Sequence, residues 1–170
     1  GIDFHQHQIQ GFFDIPVDHL YAAPVLTKYF QDKALEDLVV VAPDVGSAKM
    51  ARGFARRLNA SFAIIDKRRP APNQSEVLNV VGDVSGSNCL ITDDMVDTAG
   101  TMASAVRALK DRGAFAVYAC ATHALLSGSA LERLTAAPLT ELVVTNTVQI
   151  PGERKFEGLK VLSIAALLAR

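Results

Sequence analysis

Short runs of apolar and β-branched residues recur along the chain: LVVVA (Leu38 to Ala42), FAII (Phe62 to Ile65), CLIT (Cys89 to Thr92), VYACAT (Val117 to Thr122), LVVT (Leu142 to Thr145) and KVLSI (Lys160 to Ile164). Each is rich in apolar or β-branched residues and has the length of a buried strand. Between them the period changes to that of amphipathic helices: SAKMARGFARRL (Ser47 to Leu58), GTMASAVRALKDRG (Gly100 to Gly113) and SALERLTAA (Ser129 to Ala137). In the second of these, Met102, Val106 and Leu109 share one face, Arg107, Lys110 and Asp111 face away, and Gly113 stands where a glycine ends a helix. A further helix is expected from Ala22 to about Asp32, and AALLAR reads as a closing helix. Strands alternating with helices predict an α/β fold, a parallel sheet flanked by helices and joined by right-handed crossovers. KRRPAPNQSE (Lys67 to Glu76), with two prolines among polar residues, reads as a mobile loop.

With 170 residues and 49% hydrophobic composition, the chain can bury the core of one ordinary domain. Lys and Arg number 17 against 18 Asp and Glu, and no dense basic stripe appears, which argues against a nucleic-acid partner. No apolar stretch approaches the ~20 residues of a membrane span. The opening GIDFHQHQIQ has neither the basic nor the apolar region of a signal peptide. Gly1 opens without an initiating Met, which points either to a chain cut from something longer or to processing. Cys89 and Cys120 are too few and too far apart for a disulfide framework, and both lie in apolar runs suited to buried thiols. A reducing cytoplasm is the expected location.

The densest chemistry lies in ITDDMVDTAGT, Ile91 to Thr101. A strand ends in Asp93 and Asp94, and a turn containing Asp97, Thr98 and Ala99 leads into the helix that begins near Gly100. A helix N-terminus has unpaired N–H groups and a partial positive charge, so a phosphate can sit there without a basic side chain. Ala99 and Gly100 let the backbone come close to it, and Thr98 and Thr101 offer hydroxyls. The plainer alternative is that Thr98 caps the helix and the aspartates decorate a solvated turn. A ribose phosphate would satisfy both parts of the motif: hydroxyls for the carboxylates, which can also approach phosphates when Mg²⁺ lies between them, and a terminal phosphate for the turn.

Open parallel sheets gather ligands at the carboxyl ends of their strands. Two other stretches are placed there. Asp44 follows LVVVA and is either a turn acid or a ligand-facing carboxylate. Lys67 and Arg69, in IIDKRRP, are either a solvated basic loop or cations placed to stabilise a transferring phosphoryl group.

DDMVDTAGT resembles a phosphoribosyl diphosphate (PRPP) binding loop. With QIQGFFDIPVDHLYAAPVL, VVVAPDVG, IIDKRRP, VVGDV, YACATHALLSG and VVTNT, in that order, the chain resembles the ribose-phosphate pyrophosphokinase family. The resemblance covers nearly the whole chain and corresponds to the latter part of a family protein about twice as long. It implies a type I phosphoribosyltransferase-like domain at residues 36–170, preceded at residues 1–35 by a remnant of the inter-domain region and a linking helix. It implies Lys67 as the catalytic lysine, Arg69 as a ribose-phosphate contact, and Asp93, Asp94, Asp97, Thr98, Ala99, Gly100 and Thr101 as the substrate loop. His5, from the D-x-H near the start, and Asp44 would be associated with Mg²⁺. The implied reaction transfers diphosphate from Mg-ATP to ribose 5-phosphate, giving PRPP and AMP for nucleotide biosynthesis, in a cytoplasmic homo-oligomer, a hexamer in the family.

The resemblance has local departures. The family's D-L-H-A stands here as DFHQ, Asp3 to Gln6; His7 replaces a small residue and reads as surface; His19 replaces a frequent Asn near a regulatory site. Because ATP-binding residues come largely from the other half of the family's chain, the expectation is a chain that keeps the acceptor site and loses most turnover. The competing classes are a type I phosphoribosyltransferase using PRPP as donor, which should carry a base-binding hood, and a non-catalytic regulatory homologue, which should spoil Lys67, Arg69 or the aspartates.

Overall fold

The computed structural model describes residues 1–68 and 77–169. After a short 3₁₀ turn at His7–Phe12, the elements are α1 (Ala23–Lys33), β1 (Leu38–Ala42), α2 (Ala48–Leu58), β2 (Ser61–Arg68), β3 (Val77–Val81), β4 (Asn88–Val96), α3 (Gly100–Asp111), β5 (Ala116–Ala124), α4 (Ala130–Thr135), β6 (Glu141–Thr145), β7 (Leu159–Leu162) and α5 (Ala165–Leu168). All strands but β3 fall on the predicted apolar runs. The sheet runs β3-β2-β1-β4-β5-β6-β7, with every pair parallel except β2 and β3.

Two readings are corrected. Lys67 does not follow a strand end: β2 continues through it, and Lys67 pairs in register with Leu78 of β3. The strand β3 has no counterpart among the predicted runs. It lies at the sheet edge and leaves Val81 51% exposed, so it lacks the continuous apolar signature of a covered strand. Arg69, and the rest of the predicted loop to Glu76, lie outside the described residues.

The pleat sorts the strand residues between two cores. Val39, Val41, Ile91, Val117, Leu142 and Val144 face α3, where Met102, Val106 and Leu109 are buried as the helical period predicts. Val40, Leu90, Tyr118, Cys120 and Val143 face the opposite way, onto Leu26 and Phe30 of α1 and Ala51 and Phe54 of α2. The helix α1 therefore shares the core of the sheet. Its outer end is tied to β6, where Glu141 accepts from the Tyr29 hydroxyl and from Lys33 Nζ, each at 2.8 Å. Gly113 follows α3 with φ +84°, and its N–H reaches the Lys110 carbonyl at 2.9 Å, the helix-ending geometry expected of it. Lys110 does not simply face away: its ammonium folds back onto the carbonyls of Ala114 and Phe115.

Both cysteines are buried and free. Burial pushes the Cys89 thiol up to about 11 and moves Cys120 in the same direction, as expected of inert core thiols. Among the described residues, no helix is long and apolar enough to cross a membrane.

Candidate active site

The connections leaving β1 and β4 run to opposite sides: β1 leads to β2 on one flank and β4 to β5 on the other. Where the direction of winding reverses, the carboxyl ends of the strands open a crevice. Asp44 follows β1 on one side of that crevice, and Asp93 and Asp94 lie near the end of β4 on the other. The sheet thus brings together carboxylates 49 residues apart in sequence (93 minus 44).

The N-terminal residues close one side of the crevice. His5 Nδ1 lies 2.5 Å from Asp94 Oδ2. This contact depends on a set of bonds that hold the preceding residues against β5 and the start of α1. Asp3 Oδ2 accepts from the Ala22 N–H at 2.9 Å and from the Thr122 hydroxyl at 2.7 Å. His123 Nε2 faces the carbonyls of Ile2 and Asp3 at 3.1 and 3.2 Å, so that nitrogen carries the proton, while Nδ1 lies 2.9 Å from the Thr147 hydroxyl. Ile2 also bridges Leu20, and the N-terminal ammonium donates to the Asp18 carbonyl.

Electrostatics mark the same spot. The Asp93 carboxyl is pushed up to about 7, first by burial, with the negative charges of Asp94 and Asp44 adding to it and the Asp94 N–H working against it. His5 is shifted upward, chiefly by its hydrogen bond and attraction to Asp94, with smaller contributions from Asp93 and Asp44. Three acids and one imidazole therefore share one field. Protons or cations relieve its negative charge.

The turn that follows has the predicted layout with a different cap. Ala99, not Thr98, occupies the N-cap of α3, in the left-handed region at φ +57°, and no side chain caps the helix. The plainer reading of Thr98 as a capping residue is thus not what the fold uses. Asp97 and Thr98 are exposed, Ala99 is buried, and Gly100 begins the helix. Among the described residues, the N–H groups of Thr98, Ala99 and Gly100 donate to no protein acceptor. They remain available to an anion at the dipole's positive end.

Asp44 does act as a turn acid: its Oδ1 accepts from the Ser47 N–H at 2.8 Å and the Ser47 hydroxyl at 2.9 Å. That does not remove it from the crevice, since its charge reaches both His5 and Asp93. The site thus gathers His5, Asp44, Asp93 and Asp94, with Asp97, Thr98, Ala99, Gly100 and Thr101 following on the same chain. Lys67 lies near the end of β2, three residues beyond Ile64, the register partner of Ala42 in β1.

Sequence reasoning missed Asp3, Thr122, His123, Ser127 and Arg133, which position the site from outside it. Their signal is partly visible in the sequence, because Asp3 sits two residues before His5, and the others lie in or just after YACATHALLSG, one of the stretches that carry the family resemblance.

As to Mg²⁺, no group of three His, Cys, Asp or Glu side chains among the described residues converges as ligands. The ion does not require such a cage, because it is usually held by one or two carboxylates, water and substrate phosphates. The clustered acids around Asp93 fit that kind of site.

Comparison with known proteins bears on the family and the fold. Residues 69–170 match the model of the phosphoribosyl synthetase-associated domain. The chain is 54% identical over 169 residues to a ribose-phosphate pyrophosphokinase of Caldanaerobacter subterraneus subsp. tengcongensis, covering 99% of this chain and 54% of that protein. It is 56% identical over 170 residues to that of Synechococcus elongatus, covering 99% and 51%. The chain spans about half the length of the curated relatives it matches. Among solved structures, phosphoribosylpyrophosphate synthetase from Mycobacterium smegmatis superposes with a TM-score of 0.91 at 46% identity, over 99% of this chain and 55% of the other. The APRTase of Giardia lamblia shares only the fold, with a TM-score of 0.59 at 18% identity over 72% of this chain and 75% of that one. A sheet that opens at the β1/β4 switch point, an acid-rich strand end and a small-residue turn thus coincide with matches along almost the whole sequence, and the chain belongs to the ribose-phosphate pyrophosphokinase family.

Proposed function

We propose that this chain forms the acceptor half of a ribose-phosphate diphosphokinase, which transfers the diphosphoryl group of Mg-ATP to the 1-hydroxyl of ribose 5-phosphate and gives PRPP and AMP. The observation that carries the reading is the junction of β4 and α3. There, paired carboxylates adjoin a turn whose Thr98, Ala99 and Gly100 N–H groups have no acceptor among the described residues.

In this reading the 5-phosphate occupies the turn from Asp97 to Thr101, held by backbone N–H groups and threonine hydroxyls at the start of α3. Asp97 and the Asp93/Asp94 pair accept hydrogen bonds from the ribose hydroxyls, which fixes the sugar with its 1-hydroxyl toward the crevice. His5 and Asp44 border the place of the metal, and bound Mg²⁺ there would neutralise charge on the substrate phosphates. Lys67 and Arg69 take their roles from the family's motif: Lys67 stabilises charge on the transferring group, and Arg69 contacts the ribose phosphate. Binding of the ATP adenine falls to the remaining half of the protein, so this chain alone binds acceptor and turns over little. In the same reading the complete enzyme is a cytoplasmic homo-oligomer serving nucleotide synthesis.

Titration calorimetry with ribose 5-phosphate in Mg²⁺ tests the acceptor site. Binding should be measurable for this chain and weaker by roughly 10-fold in Asp97→Asn, as for loss of one charged hydrogen bond; equal affinity would remove Asp97 from the site. Adding the remaining half of the protein should restore ATP-dependent AMP release. Binding of ribose 5-phosphate without AMP release by the complemented protein would sink the diphosphokinase assignment.

A further inference from the structure

We infer that Arg133 is a positioning residue that holds the phosphate-binding turn in its left-handed conformation before any ligand arrives. The inference rests on the acceptor-site reading only for what the turn binds, and the brace itself is visible without it.

The turn is strained by its own sequence. Ala99 lies at φ +57° and ψ +11°, a region that an alanine occupies at a cost because its Cβ crowds the following carbonyl. No side-chain cap bonds to the helix start, and Gly, which would adopt the conformation freely, stands one position later.

The compensation comes from the segment after β5. Three consecutive carbonyls are captured from outside. The Val96 carbonyl accepts from the N–H groups of Leu125 and Leu126 at 2.9 and 3.1 Å, and the Asp97 carbonyl from the Ser127 N–H at 3.0 Å. The Thr98 carbonyl accepts from Arg133 Nη1 at 2.8 Å. The Ser127 hydroxyl also donates to Asp97 Oδ1. The Ala99 carbonyl starts the helical ladder, accepting from the Ala103 N–H at 2.9 Å.

Every carbonyl from 96 to 99 is therefore turned to a protein donor, which leaves the N–H side of the turn toward the crevice. Of the bonds supplied by the segment after β5, the one nearest the strained residue comes from Arg133. Its carbonyl partner is joined directly to the Ala99 nitrogen, so fixing that carbonyl fixes the plane of the Thr98–Ala99 peptide. A Cβ placed on Gly100 would lie 3.4 Å from Arg133 Nη1, so the guanidinium also covers the turn's outer side. Arg suits this task because its planar, permanently charged fork holds one geometry.

If a fraction of molecules without the Arg133 bond has the turn misfolded, apparent affinity falls by that fraction. Arg133→Met should weaken ribose 5-phosphate binding by about 10-fold. In the ligand-free protein it should shift or broaden the backbone amide resonances of Thr98, Ala99, Gly100 and Thr101, with the resonances of β1 and β6 unmoved. Arg133→Lys, which keeps a donor for the Thr98 carbonyl, should recover most of both. Ala99→Gly combined with Arg133→Met should lose less affinity than Arg133→Met alone, because Gly needs no brace. Should Arg133→Met fold poorly, Ser127→Ala reports on the same amides through the neighbouring bonds. Unchanged loop amides in ligand-free Arg133→Met would overturn the inference, even with a fall in affinity, since that pair of results marks a direct phosphate contact. If the unmodified chain binds no ribose 5-phosphate, the function proposed above fails, while the ligand-free spectra still decide the brace.

Discussion

Asp93, placed at the acceptor site in the proposed function, is maintained at a cost to stability. Burial, with the charges of Asp94 and Asp44 adding to it, pushes its carboxyl up to about 7 from an ordinary 3.8. The folded state thus holds the Asp93 proton more tightly than the unfolded chain does. The resulting stabilisation is complete below pH about 4 and is lost as the pH rises to about 7, above which the fold carries an unfavourable buried charge. Asp93→Asn keeps the volume and an acceptor for the Asp94 N–H while removing the charge. At pH 8 it should raise Tm, by about 2–4 °C for each kcal/mol relieved. At pH 4 the gain should be far smaller, because the native carboxyl is then protonated. Thermal melts at both pH values check the sign, and a gain of equal size at both would show that charge is not the cause. Ribose 5-phosphate binding should weaken in the same variant, since an amide carries no charge to hold hydroxyls or a metal.

At the scale of elements, the N-terminal segment and the β2–β3 hairpin are the informative cases. The segment reaches the site through Asp3, whose one carboxylate oxygen joins the Ala22 N–H at the start of α1 to the Thr122 hydroxyl on β5. Asp3→Ala would leave both donors without that acceptor, a loss of about 1–3 kcal/mol for partly buried groups. Hydrogen exchange should quicken in residues 2–20 and hardly at all in α3, and the His5 ring signals should lose their sensitivity to Asp94→Asn. Equal exchange in both proteins would show that the segment is held without Asp3. In the hairpin, Gly82 follows β3 at φ +118°, and a Cβ there would come within 2.8 Å of Ala63 Cβ. Gly82→Ala should cost a few kcal/mol, through the positive φ and the close approach together. A denaturant midpoint unchanged from the parent chain would contradict both.

For the molecule as a whole, the second core decides how many units unfold. Phe30 on α1 is 1% exposed and meets Tyr118 of β5 edge-on, with centroids 6.3 Å apart. Phe30→Ala should therefore cost about 3–5 kcal/mol of global stability, the range for an aromatic removed from a packed core. Circular dichroism and tyrosine fluorescence should report one shared transition. Separate transitions would mean that α1 unfolds independently of the sheet.

The sequence determined the elements that are covered on both sides or amphipathic. The runs at 38–42, 117–122 and 142–145 read as buried strands because they are short, apolar and rich in β-branched residues, too brief for a buried helix. It also determined the local chemistry of the turn from Asp93 to Thr101, since strand end, acids, small residues and helix start follow one another in the chain. The edge strand β3 was not legible, because one flank and part of its face meet solvent and its composition is correspondingly mixed. Contacts between distant residues were left to the tertiary structure: Asp44 beside Asp93 across the switch point, His5 delivered to Asp94 by Asp3 and His123, and the turn's carbonyls gripped from Leu125 to Arg133. Periodicity records which face of an element is buried. Which partner lies on that face is fixed only when strand order and register bring the elements together.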